Sequence, residues 1–213
     1  MSRWKNGSGS RQDSWLRKGV GVRKMVDGEV LRVHGFLPFS RANGPGVRAA
    51  VWVQGCSLRC PGCSNPDTHP FVGGELVSVD DLFGHIVAPG DAIEGITVSG
   101  GEPLQQRRPL LALLQRVRRE TSLSVLVFTG YTWEEIQRMP DAGALLACVD
   151  VLIAGRYDAS QRLARDLRGS ANQTVHLLTN RYTMADVQSV PPAEIVITKE
   201  GEVVVSGIDP VMC

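Results

Sequence analysis

The chain has 213 residues, 43% of them apolar and 21% charged, with a formal net charge of +1. That length is ample for one buried core, the composition excludes a chain disordered throughout, and the near-neutral charge names no partner by bulk electrostatics. No run approaches the ~20 apolar residues of a membrane span and the N-terminus lacks the apolar centre of a secretory signal, so a cytoplasmic protein is expected.

Arg3, Lys5, Arg11, Arg17, Lys18, Arg23 and Lys24 face only Asp13 among the first 25 residues, in a stretch rich in Gly and Ser. Residues 1–28 therefore read as a flexible basic tail, with an arm for nucleic acid or an acidic protein as the other reading. Residues 29–39 suit an edge strand, and Asn43-Gly44-Pro45-Gly46 forbids regular structure after it. Residues 48–54 form a first core strand that stops at Gly55, where the cysteines begin. A turn-rich stretch runs to Gly74. A short helix follows over 78–87, with Ser78 as N-cap and Asp81 at N3.

A second strand over 93–99 ends on glycines. Residues 108–120 repeat Leu110, Leu113, Leu114 and Val117 at helical spacing, and Pro109 is tolerated in that helix's first turn. Strands over 124–129 and 149–154 flank a helix over 133–147 that breaks near Pro140. A fifth strand covers 174–178. After Pro191-Pro192, residues 193–199 and 202–206 flank Glu200-Gly201 as a hairpin.

The alternation predicts an α/β fold with a parallel sheet covered by helices, open or part of a barrel, with ligands at the C-terminal ends of the strands. The expected division is a core over 29–180 and a C-terminal extension with the hairpin over 181–213.

Three of the five cysteines, Cys56, Cys60 and Cys63, stand in a C-x3-C-x2-C spacing, with Cys148 and Cys213 far away. Such clustering points to metal chemistry rather than a disulfide framework. Three thiolates are one short of a closed all-cysteine cluster, and they suit three irons of a [4Fe-4S] cubane with the fourth left open. A zinc site with His69 as fourth ligand is the alternative, and a zinc-stabilised nucleic-acid-binding module would follow from it. Ser99-Gly100-Gly101-Glu102-Pro103, after the second strand, offers bare backbone to a ligand and a carboxylate to an ammonium. Tyr131 and Trp133 stand where they could line a site or pack its rim. The four histidines form no catalytic pair, and Cys148 reads as a core residue.

The cysteine spacing on the loop after a first strand, followed by Ser99 to Pro103, resembles the radical S-adenosylmethionine (SAM) superfamily. The resemblance extends to the activating proteins of anaerobic (class III) ribonucleotide reductases. Asn43 to Gly46, Gly55-Cys56, Cys60-Pro-Gly-Cys63, Ser99 to Leu104, Thr129-Gly-Tyr131, Asp150-Val-Leu152, Arg168-Gly-Ser170, Asn172-Gln173 and Val175-His176 carry it.

It implies a partial (open) β/α barrel, one [4Fe-4S] cluster on Cys56, Cys60 and Cys63, and SAM chelating the open iron. Cluster and SAM together generate a 5′-deoxyadenosyl radical. In such relatives the radical takes hydrogen from a glycine of a glycyl-radical partner, with flavodoxin or ferredoxin as reductant. By the same resemblance Gly62, Ser64 and Gly101 lie against SAM, Ser99, Gly100 and Glu102 belong to the motif that meets its amino group, and Arg156 faces its carboxylate.

Ser64 stands where an aromatic residue is expected, and Ala154 where an acidic one is. The extension past residue 180 has no counterpart in compact activators. It keeps a second enzyme reading open, a tailoring enzyme for a small metabolite or peptide.

Overall fold

A computed structural model describes residues 30–197, 201 and 203–208; the basic tail, Cys213 and most of the expected hairpin turn lie outside the described residues. In chain order the elements are β1 (Val30–Ser40), β2 (Arg48–Val53), β3 (Glu75–Ser78), α1 (Val79–Val87), β4 (Gly95–Gly100) and α2 (Arg107–Glu120). Next come β5 (Ser124–Thr129), α3 (Trp133–Gln137), α4 (Ala142–Leu146) and β6 (Val151–Ala154). The chain continues through β7 (Arg162–Arg165), β8 (Arg168–Ser170), β9 (Thr174–Leu177), α5 (Met184–Gln188), β10 (Ala193–Ile197) and β11 (Val203–Gly207).

Seven strands form one mixed sheet in the order β3-β1-β2-β4-β5-β6-β9. β2, β4, β5 and β6 run parallel, through pairs such as Val51↔Val98, Thr97↔Leu126 and Phe128↔Ile153. β1, β3 and β9 join antiparallel. Two expectations change here. β1 is not an edge strand, because β3 pairs outside it through Arg32↔Leu76 and its neighbours. Four residues of Glu75–Ser78 are too few to show an alternation, so no strand is expected there from the sequence. The strand near 174–178 is present, but it runs against β6, so the parallel run stops at four.

Residue parity along the parallel strands separates the two faces of the sheet. Ala49, Val51, Val53, Ile96, Val98, Val125, Val127 and Leu152 point to one side and merge with α1, α2 and α4 in the main core. Helix α2 contributes Leu110, Leu113, Leu114 and Val117, all 0% exposed, as their spacing predicts. Helix α1 begins at Ser78, whose hydroxyl accepts the Asp81 N–H at 3.0 Å. The expected helix over 133–147 is two short helices, α3 and α4, separated at Pro140 and by Asp141 in the left-handed region at φ 67°.

On the other side, Leu37, Ala50 and Trp52 pack with Val196 of β10, and Leu126, Val151 and Ile153 pack with Leu167 and Val187. The segment beyond residue 180 is therefore laid on this second face. Its hairpin is present as β10 and β11, antiparallel from Ala193↔Gly207 to Ile197↔Val203. No helix among the described residues is long and apolar enough to cross a membrane.

Candidate functional site

Past the end of β2, the chain makes a loop that closes on itself. The Gly55 N–H bonds the Thr68 carbonyl at 2.7 Å and the Cys56 N–H bonds that of His69 at 3.0 Å. Gln54 pins the return by donating to the carbonyls of Asp67 and Pro70. Inside the loop, the Cys63 N–H meets the Cys60 carbonyl at 3.0 Å, and Arg59 takes a left-handed φ of 46°.

Cys56 is buried, while Cys60 and Cys63 are half-buried. Burial pushes the thiols of Cys56 and Cys63 up, whereas backbone N–H groups of Leu58 and Arg59 at Cys56, and of Ser64 and Asn65 at Cys63, oppose it. The Asn65 N–H stands 3.4 Å from the Cys63 sulfur. Donors aimed at sulfur favour the thiolate, which is the form that ligates metal.

The turn after β4 is bound to the end of β2 through Gly101 N–H to the Val53 carbonyl at 2.8 Å, and to the start of this loop through Glu102 N–H to the Gly55 carbonyl at 2.9 Å. A Cβ on Gly101 would lie 2.4 Å from the Gly55 carbonyl oxygen. Glycine is thus required here for two stretches of main chain to touch, whether or not a ligand approaches as well.

Glu102 is 1% exposed. Its carboxylate accepts the Leu104 N–H at 2.9 Å, the Thr129 hydroxyl at 2.8 Å and the Gly130 N–H at 2.8 Å. It joins the ends of β4 and β5, and desolvation pushes its pKa up to about 7 against those donors.

Cys56, Cys60, Cys63, Ser64, Ser99, Gly100, Gly101 and Glu102 all line one cleft at the C-terminal ends of the parallel strands. Two expected residues are not on its wall. Gly62 is exposed on the outside of the cysteine loop, next to Ala159 and Tyr157. Arg156 holds Glu135 in a two-pronged ion pair, at 2.6 and 2.9 Å, and this pairing is the first cause of its raised pKa. Glu135 also closes the N-terminal capping box of α3, so Arg156 is tied to a helix end beside the cleft. Tyr131 and Trp133 are rim packing: Trp133 stacks on His176 at 4.3 Å and the Tyr131 hydroxyl receives Gln105. Cys148 is buried in the main core, as its sequence context suggests.

Sequence reading missed several wall residues, among them Trp52, Phe128, Gly207 and Ile208. Trp52 and Phe128 reach the cleft because even-numbered positions of β2 and β5 face away from the helices. Asn43 and Gln173 also line it; the motifs containing them are visible in the sequence, though their place in the wall is not.

His69 lines the cleft too, with Nε2 buried and without a hydrogen-bond partner. Among the described residues, however, no three His, Cys, Asp or Glu side chains converge on the position of a single metal ion. A cubane takes one thiolate per iron, and three thiols with N–H groups aimed at Cys56 and Cys63 are a donor set that suits a cluster with one open iron.

Comparison with known proteins agrees. Residues 42–176 match the family described as a 4Fe-4S single cluster domain. The anaerobic ribonucleoside-triphosphate reductase-activating protein of Vibrio cholerae is 31% identical over 156 residues, which span 70% of this chain and 99% of that protein. The protein of the same name from Enterobacteria phage T4 is 34% identical over 142 residues, 64% of this chain and 87% of that one. The crystal structure of QueE from Escherichia coli is similar with a TM-score of 0.41 and 17% identity, over 48% of this chain and 53% of QueE. With residues 42–176 matched to a 4Fe-4S single cluster domain and nearly the whole of a relative covered, the chain belongs to the family of anaerobic ribonucleoside-triphosphate reductase-activating proteins.

Proposed function

We propose that this chain cleaves SAM at a single [4Fe-4S] cluster held by Cys56, Cys60 and Cys63 and uses the product to place a radical on a glycine of a partner anaerobic ribonucleotide reductase. The observation that carries this reading is the joining of Ser99–Glu102 to the end of β2 and the start of the cysteine loop by two backbone hydrogen bonds, so that cluster ligands and SAM-facing main chain share one wall. A cluster held by Cys56, Cys60 and Cys63 would supply the one electron that reductive cleavage of the SAM sulfonium needs to give methionine and the 5′-deoxyadenosyl radical.

The protein's share is binding, orientation and exclusion of water. Gly101 presents main chain to SAM and Ser64 offers a small polar contact beside Cys63. Gly62 acts through the turn that sets Cys63. Glu102 takes the amino group of SAM on its Oε2 side, where Gly130 supplies one hydrogen bond and leaves accepting capacity free. Arg156 meets the SAM carboxylate by exchanging Glu135 for it.

We read the four parallel strands as the partial, open β/α barrel of radical SAM enzymes, with residues 29–180 as its core. Reduced flavodoxin or ferredoxin is the electron source.

Anaerobic reconstitution with iron and sulfide, followed by reduction with SAM and the reductase, tests the reading. A glycyl radical signal on the reductase with little SAM turnover is the expected result. Continuous SAM consumption with a mass change in a small metabolite would instead make the chain a tailoring enzyme, and one tightly held zinc without sulfide would end the cluster assignment.

A further inference from the structure

The matched family region ends at residue 176, yet the described chain runs on through α5, β10 and β11, and this continuation reaches the cleft. The Vibrio cholerae relative is covered to 99% by 70% of this chain, so this protein carries segments with no counterpart there.

The hairpin is fastened to the cleft face of the sheet at several points. The Glu194 carboxylate accepts the Ser40 hydroxyl and, at 2.8 Å, the Arg41 N–H. The Asn43 side-chain amide donates to the Ser206 hydroxyl, and both residues are buried. Val196 covers Leu37, Ala50 and Trp52. Buried polar groups satisfied in pairs, with an apolar contact between them, mark a seated element rather than a loose appendage.

β11 then delivers Gly207 and Ile208 to the same cleft that Cys56, Cys60 and Cys63 line. Gly207 has φ 124°, and a Cβ there would lie 2.3 Å from the Pro192 carbonyl oxygen. The end of β11 can therefore pass close to the entry of β10 only as glycine, and that passage aims Ile208 at the cleft.

We infer that the C-terminal hairpin is a wall of the SAM pocket in this protein, supplied in cis by a segment outside the family region, with Ile208 as its contact residue. The inference rests on the cleft being the SAM site. An apolar side chain at the mouth excludes water and covers ligand surface, and loss of such a wall weakens a small-molecule site.

Equilibrium dialysis of SAM against the reconstituted full-length protein, with iron and sulfide measured on each sample, tests it. Ile208→Trp, which fills the cleft, and Gly207→Ala, which displaces the end of β11, should each weaken SAM binding by about tenfold or more while iron and sulfide stay at the wild-type level. Ile195→Ser, on the exposed outer side of β10, should leave the affinity unchanged. Deleting residues 190–213 should act like Ile208→Trp, and the two point variants answer the question if the deletion fails to fold. Affinities within about twofold of wild type for both Ile208→Trp and Gly207→Ala would overturn the inference. Wild-type protein that binds SAM but yields no glycyl radical on the reductase would sink the functional reading and leave the hairpin's role in binding standing.

Discussion

On the helix side of the sheet, the odd-numbered residues of β2 and β5 meet Leu110, Leu113, Leu114 and Val117, and every one of these helix residues is fully buried. On the cleft side the same strands and β4 carry Arg48, Thr97 and Ser124, all buried and polar, and Ser99 opens into the cleft. Arg48 is 0% exposed and is held by the Thr97, Ser124 and Tyr182 hydroxyls and by the carbonyls of Pro45 and Ile96. The first face is held by area removed from water, which is tolerant of direction; the second adds to its own apolar clusters a set of buried hydrogen bonds, which are not. A site needs the second kind, because only directional bonds fix where a cluster loop and a ligand-facing turn stand.

If the two faces are as separate as this, substitutions should damage them separately. The largest effect is expected from Cys60→Ala, which removes a proposed cluster ligand. SAM cleavage should fall to background with loss of iron and sulfide, while thermal unfolding of the metal-free protein changes little, because Cys60 is half-exposed. Retained 5′-deoxyadenosine production would refute the ligand assignment.

Leu113→Ala is the mirror case. It should cost about 3 kcal/mol of stability in denaturant unfolding through lost burial and a residual cavity. At low temperature the folded variant should still take up a full complement of iron and sulfide. Failure to assemble a cluster would mean that the helix side shapes the cleft after all.

Glu102 sharpens the comparison through pH, because it is a charged group of the cleft face that burial pushes up from 4.5 to about 7. The folded chain then holds this proton more tightly than the unfolded one. Its contribution is complete below about pH 4.5, declines as pH rises, and is gone above about 7. Across that window, wild-type protein should lose roughly 3 kcal/mol relative to Glu102→Gln, read from unfolding of the metal-free proteins at each pH. Parallel stability curves for the two would show that the carboxylate is ionised throughout.

Glu135→Gln should do least to stability, under about 1 kcal/mol, since its ion pair with Arg156 is partly open to solvent. It frees Arg156, however, and SAM affinity should rise a few-fold if the SAM carboxylate competes with Glu135 for that guanidinium. An unchanged affinity would remove Arg156 from the site.

Much of the helix side was legible in the sequence. The spacing of Leu110, Leu113, Leu114 and Val117 needs only the period of a helix, and Ser78 with Asp81 needs only the geometry of a first turn. That Cys56, Cys60 and Cys63 share one cleft was legible for a different reason: they lie close together in the chain, so one short loop must carry them all. Arg156 was not, because its partner Glu135 is 21 residues away and belongs to a helix cap. Nor was the inner position of β1, which depends on pairing with four residues of β3.

By itself the sequence determined the alternating strands and helices, the three-cysteine loop at the end of the first core strand and the glycine turn after the second. These are local, set by periodicity, by turn chemistry and by ligand spacing. Tertiary structure alone decided that Gly101 must be glycine to touch Gly55, that Glu102 accepts from Thr129 and Gly130 at the end of β5, and that β10 and β11 fold back over Trp52 to bring Ile208 to the cleft. Each depends on contacts between residues far apart in the chain, and no local pattern records which distant backbone or side chain will arrive.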